Sequence, residues 1–191
     1  MNVTERPRIC VFCGARPGRN LRYLELATEF GDWLGRRGLD VVYGGGTVGL
    51  MGAVAESALA AGARVTGVVP HHLLSSERPQ PNGVHLIVVR SMHARKAMMY
   101  RMADAFVALP GGVGTLDELF EISTWAKLGL HSKPAVILNC GGYFDSLFTL
   151  LDHAVQEGMM TPAERSFIQA ADTVSDIGDR LELPLLTAVD S

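Results

Sequence analysis

The chain alternates between two textures, and nothing else in it narrows the fold as much. Short uncharged runs, Ile9-Cys10-Val11-Phe12, Val41-Val42-Tyr43, Val65 to Val69, Leu86 to Val89, Ala105 to Leu109 and Ala135 to Leu138, are separated by helix-length segments. Runs so uniformly apolar read as strands buried on both faces of a sheet. Between them, Leu21, Leu24, Ala27, Phe30 and Leu34 recur at helical spacing until Gly38. Further helices are expected over Leu50 to Ala61, Met92 to Ala103, Thr115 to Leu128 and Phe144 to Glu157. Strands joined by helices need right-handed crossovers into a parallel sheet. The expected fold is therefore α/β: a Rossmann-like, doubly wound, mainly parallel sheet flanked by helices.

At 191 residues one core suffices, so residues 1–191 are expected to form a single domain. The tail from about Thr161 has a weaker pattern and is expected to pack as one or two short helices. Pro70 to Gly83 is too polar and proline-rich for core and is a candidate ligand-side loop.

Hydrophobic residues make up 48% and charged residues 19%, which excludes a disordered chain. The net charge of -3, with Lys and Arg scattered, gives no basic stripe for a nucleic-acid backbone. A small ligand is expected instead. Met1 to Arg8 is polar, and no uncharged run approaches membrane-spanning length, so a cytoplasmic protein is expected. Cys10, Cys13 and Cys140 support neither a disulfide scaffold nor a structural zinc site. Cys10 and Cys13 flank a strand end, with alternation placing them on opposite faces as buried thiols. The six histidines show no ligand spacing and no G-x-S-x-G elbow occurs, so neither a metal nor a cofactor is expected.

Pro110-Gly111-Gly112-Val113-Gly114-Thr115-Leu116-Asp117-Glu118 follows an apolar strand and opens a helix. Its glycines let the backbone approach an anion closely, and free N–H groups at a helix start point at one. It lacks the Gly-Lys-Ser/Thr ending of a triphosphate loop and the G-x-G-x-x-G spacing of a dinucleotide loop. A monophosphate cradle is one reading. The other is structural: Thr115 and Glu118 have the T-x-x-E spacing of a capping box, which needs no ligand.

A second loop, Tyr43-Gly44-Gly45-Gly46-Thr47-Val48-Gly49-Leu50-Met51-Gly52, also lies between a strand and a helix. It offers either more anion-binding donors, with Gly45, Gly46 and Met51 as candidate ligand contacts, or only close helix–strand packing. Arg95 and Lys96 stand in the first turn of the Met92 to Ala103 helix, where the dipole disfavours cations. Something negative should offset that, either Glu118 or a ligand phosphate. Met98, Met99 and Met102 on that helix read as core or subunit interface.

Together, P-G-G-x-G-T-x-x-E at Pro110 to Glu118, Met92-His93-x-Arg95-Lys96, the Gly44-Gly45-Gly46 loop with Gly49-Leu50-Met51, and Thr124-Trp125-Ala126 resemble the LONELY GUY (LOG) family. Its members are cytokinin riboside 5'-monophosphate phosphoribohydrolases, long mislabelled lysine decarboxylases. The resemblance runs from about Ile9 to Gly158. It implies a homodimer that splits AMP or an N6-modified AMP into free base and ribose 5-phosphate. It further implies Arg95 and Glu118 as the catalytic pair. Lys96, Gly111, Gly112, Val113, Gly114, Thr115 and Thr124 become ligand contacts, and Glu77 a ribose-contacting acid. Two departures are Ala15, where the family commonly has Ser, and the segment Ser75 to Val84.

Two rival functions go with the same features. One is a nucleotide or molybdenum-cofactor carrier, which would bind without cleaving. The other is a decarboxylase, which would need a lysine placed to hold pyridoxal phosphate, and only Lys96, Lys127 and Lys133 exist.

Overall fold

The computed structural model describes residues 6–74 and 81–181. In chain order they form β1 (Arg8–Phe12), α1 (Arg22–Arg36), β2 (Asp40–Tyr43), α2 (Gly49–Ala60), β3 (Val65–Pro70) and β4 (Val84–Val89). There follow α3 (Met92–Met102), β5 (Ala105–Ala108), α4 (Val113–Lys127), β6 (Ala135–Leu138), α5 (Asp145–Gln156), α6 (Pro162–Ser166), β7 (Ile168–Ala171) and α7 (Val174–Leu181).

The strands make one sheet in the order β4-β3-β2-β1-β5-β6-β7, every pairing parallel. The chain winds outward from β1 to β4, returns through α3 to β5 beside β1, then winds outward the other way. Because crossovers keep one hand, reversing the winding direction moves the helices to the opposite face. Accordingly α1, α2 and α7 cover one face, over a core that includes Phe30, Leu34, Val54 and Ile177. Helices α3, α4 and α5 cover the other, over Met99, Tyr100, Leu119, Ile122 and Leu151. Central strands sealed on both faces read as apolar runs: β1, β2, β5 and β6 are buried almost throughout, with Asp40 at the head of β2 paired to Arg64 at 2.6 Å. Cys10 and Cys13 fall in opposite cores, as strand alternation requires.

Three expectations need correction. The tail holds a strand as well as two short helices: Ile168–Ala171 pairs with β6 from Ala135↔Ile168 to Leu138↔Ala171. As an edge strand it leaves Gln169 and Ala170 half-buried, so its sequence lacks the apolar run that marks the inner strands. The fourth strand begins two residues early, at Val84 rather than Leu86. Helix α4 starts at Val113 rather than Thr115, because Gly112 supplies the extended capping residue. In the expected ligand-side segment, His71–Leu73 is a single 3-10 turn.

Candidate active site

In an open α/β sheet, loops on either side of the strand where winding reverses diverge and leave a crevice at the carboxyl ends. Here that point lies between β1 and β5. A cavity of about 400 Å³ opens there, of a size that admits a nucleotide, lined by residues of the β1 loop (Cys13 to Gly18) and of the β5 loop. The two loops are tied: Gly14 N–H donates to Pro110 O at 3.0 Å, and Leu50 N–H donates to Gly14 O at 3.1 Å.

The β5 loop runs straight into α4. Gly112 makes no side-chain cap, and Leu116 N–H already closes the first turn on Gly112 O at 3.1 Å. By helix geometry the N–H groups of Val113, Gly114 and Thr115 have no acceptor within the helix, so the dipole's positive end opens at the cavity. Gly111, Gly112, Gly114 and Thr115 line it. Val113 is 84% exposed beside it.

The helix start settles the capping question. With Gly112 as cap, Thr115 is the third helical residue, and Glu118 cannot close a capping box around it. Thr115 is buried instead, with its hydroxyl packed where a side chain at Gly111 would stand. Glu118 lies about one and a half turns into α4, roughly 8 Å along the axis from the first free N–H. Its carboxylate is buried and faces the Arg95 guanidinium, with Oε1 and Nη2 3.6 Å apart. Burial pushes the Glu118 carboxyl up to about 7. Arg95 and Lys96 pull it down, while Asp117 and Glu121 push it up.

Arg95 reaches the cavity from the first turn of α3, whose Ser91 caps Ala94 N–H at 3.1 Å. Its Nε is buried without a hydrogen-bond partner, and its ion pair with Glu118 is longer than a hydrogen bond. Gly44 makes room for it: a Cβ there would overlap Arg95 Nη2. Nη1 donates to Met92 Sδ at 3.9 Å, and a guanidinium lining the cavity beside the start of α4 suits an anionic ligand.

The other expected residues are distributed as follows. Met51 lines the cavity. Gly45 packs on Val69 and Gly46 on the Met51 sulfur, behind the cavity wall. Gly49, at φ +64°, presses on the Ala15–Arg16 backbone, so the second glycine loop buttresses the first. Lys96 is drawn to acids on α4, at 3.0 Å from Asp117 and 2.8 Å from Glu121, and does not line the cavity. Thr124 is exposed farther along α4, its hydroxyl donating to Phe120 O at 2.8 Å. Glu77 lies outside the described residues.

Sequence reasoning passed over Arg16, Tyr23 and Tyr143, which complete the lining. Tyr143 Oη donates to Gly111 O at 2.7 Å, and its ring meets that of Tyr23 edge-on at 5.3 Å. The loops after β1 and β6 would have pointed to Arg16 and Tyr143, since they too end strands at this edge; Tyr23, inside α1, gave no such signal.

Fold and site define a Rossmann-like α/β protein with a nucleotide-sized crevice at the carboxyl ends of its strands, lined by a buried Arg–Glu pair. A family profile described as "Possible lysine decarboxylase" matches residues 51–181. A relative from Oryza sativa subsp. japonica, named a probable cytokinin riboside 5'-monophosphate phosphoribohydrolase, is 49% identical over 92% of this chain and 71% of its own length. One from Arabidopsis thaliana, named a cytokinin riboside 5'-monophosphate phosphoribohydrolase, is 44% identical over 95% of this chain and 85% of its own. The chain belongs to the LONELY GUY family. Among solved structures, the molybdenum-cofactor carrier protein of Chlamydomonas reinhardtii superposes with TM-score 0.68 at 23% identity, covering 92% of this chain and 94% of that one. The molybdenum-cofactor binding protein of Rippkaea orientalis gives 0.68 at 20%, covering 92% and 95%. At such identities the likeness is one of fold.

The decarboxylase description finds no support in the lysines. Lys96 pairs with Asp117 and Glu121, Lys127 with Glu164 at 2.9 Å, and Lys133 donates to Tyr100 O at 2.8 Å. None lines the cavity.

Proposed function

We propose that this chain hydrolyses the N-glycosidic bond of AMP or an N6-modified adenosine 5'-monophosphate, releasing free base and ribose 5-phosphate. The observation that carries the reading is the buried Arg95–Glu118 pair opening into the same cavity as the free N–H groups of α4. The family relatives bear names of this activity.

The phosphate sits on the N–H groups of Val113, Gly114 and Thr115, away from the bond that breaks, and so supplies positioning energy. Glu118 then faces the anomeric carbon. As the C1'–N bond lengthens, positive charge builds on the ribosyl group, and the carboxylate stabilises it or orients the water that attacks. The water oxygen joins C1', and its proton accounts for the one gained by the departing base. Arg95 holds Glu118 and grips the ligand with the face of its guanidinium that lines the cavity. No step in this reaction calls for a cofactor or a metal.

The acting species is a homodimer in the cytoplasm. Three features support this: Phe120, Leu128 and Leu130 lie exposed along and just beyond α4, Met92 and Val88 are exposed nearby in sequence on α3 and β4, and the three buried cysteines are free thiols. Thr124 lies between Phe120 and Leu128 on the stripe a partner would cover. Met99 belongs to the protomer's own core instead. Among the described residues no helix is long and apolar enough to cross a membrane.

Incubating the purified protein with AMP, N6-modified AMP, adenosine and ATP, and following free base by chromatography, tests the reading. Release from the monophosphates, with adenosine and ATP far slower, is expected. Equal rates for the monophosphates and adenosine, or both monophosphates bound but uncleaved, would overturn it.

A further inference from the structure

The β5 loop offers its donors at a fixed angle, and the fixing can be followed peptide by peptide. Pro110 O is held by Gly14 N–H from the β1 loop at 3.0 Å, and Gly112 O by Leu116 N–H within α4 at 3.1 Å. Between them, Gly111 O is held by the Tyr143 hydroxyl at 2.7 Å. Of the three carbonyls, only this one depends on a side chain.

The Gly111–Gly112 peptide is also the one least able to hold itself. A trans peptide is rigid, so the carbonyl of one residue and the N–H of the next point opposite ways and turn together. Glycine on both sides removes the steric walls that stop such a plane from rotating. A flip would exchange the places of the Gly111 oxygen and the Gly112 N–H, two residues that line the cavity, and would redirect the backbone that enters α4. The Tyr143 ring is braced for this work. It meets the Tyr23 ring at 5.3 Å and the buried Phe144 ring at 4.9 Å, both edge-on. Tyr143 enters from the turn after β6.

We infer that Tyr143 is a positioning residue for the anion cradle: its hydroxyl locks the Gly111–Gly112 peptide, and with it the entry into α4 whose first N–H groups are offered to a 5'-phosphate. The inference rests on the proposed reaction for its ligand, but its geometry stands apart from Arg95 and Glu118. Removing a hydroxyl that makes one neutral hydrogen bond should weaken phosphate binding about five- to tenfold.

The test is Tyr143→Phe, which keeps the ring and removes the lock. The KM for AMP should rise by that factor while kcat stays within about twofold. The inhibition constant of inorganic phosphate should rise in parallel, and that of free adenine should not move. A general loosening of the fold would move all of these and the thermal unfolding curve together. Unchanged KM and unchanged phosphate inhibition would overturn the inference, as would a loss confined to kcat. If the unaltered protein fails to cleave AMP, calorimetry with inorganic phosphate and with AMP separates the two ideas. Weaker binding by Tyr143→Phe would then uphold the lock while rejecting the reaction. Equal affinity, or no binding by either protein, would overturn the lock.

Discussion

A carboxyl raised to about 7 is poised between two charge states in the ordinary working range of a cell. If the carboxylate is the acting form of Glu118, kcat/KM should climb with pH and level off above about 7, a limb that a pH–rate profile would read directly. Glu118→Gln should abolish that limb and lower turnover by about a hundredfold or more. The sign of the stability effect follows from the same shift. The folded state keeps a proton that the unfolded chain releases between 4.5 and about 7, so this group's contribution declines as pH rises through that window. Above it, the native carboxylate is buried at a disadvantage. Glu118→Gln should therefore leave thermal unfolding at pH 8 nearly unmoved, despite the ion pair it breaks. A glutamine variant with normal turnover would return Glu118 to a structural role. That Arg95 would meet a negative group was legible, because a cation in a first helical turn opposes the dipole, and Glu118 stands 3.6 Å from it. What spacing could not tell was which threonine caps a helix. Thr115 and Glu118 share their spacing with Thr161 and Glu164, yet only the second pair forms a capping box, Thr161 N–H donating to Glu164 at 2.7 Å and Glu164 N–H to Thr161 at 3.2 Å. Pro162 fixes the start of α6, whereas Gly112 lets α4 begin two residues early.

Among the elements, the loop between β2 and α2 shows how a motif can serve a site it barely enters. Gly44 clears space for Arg95, so Gly44→Ala should displace the guanidinium and reduce turnover at least about tenfold, without changing any group that touches ligand. Steady-state kinetics beside circular dichroism would check it, and full activity in a folded variant would contradict the packing argument. The sequence announced these glycines but not their work, because a run of glycine looks the same whether it faces an anion or a neighbouring side chain. The inner strands were readable for the opposite reason, burial on both faces leaving no polar position to confuse the pattern. The edge strand β7 was not, since half of it meets solvent and its pairing with β6 is decided by tertiary contact.

For the whole molecule, the exposed residues Phe120 and Leu128 are where the proposed pairing is tested. Light scattering at micromolar concentration should give a dimeric mass, and Leu128→Glu with Phe120→Glu should shift it to the monomer while leaving each protomer folded. A monomeric mass for the unaltered chain would count against the pairing. The crevice has a further property that concerns anyone who would redesign it. The loop after β1 is stitched to both halves of the sheet: Gly49 and Leu50 hold it from the β2–α2 side, Pro110 from the β5 side. It is thus not a module that can be exchanged by itself. A first loop grafted from a relative would arrive without the backbone contours it was shaped against, and would distort the anion cradle through Gly14 before its own side chains met any substrate. The smallest transplantable unit spans three segments distant in sequence, residues 13–18, 44–52 and 110–115, and libraries that vary one of them should vary the others in step.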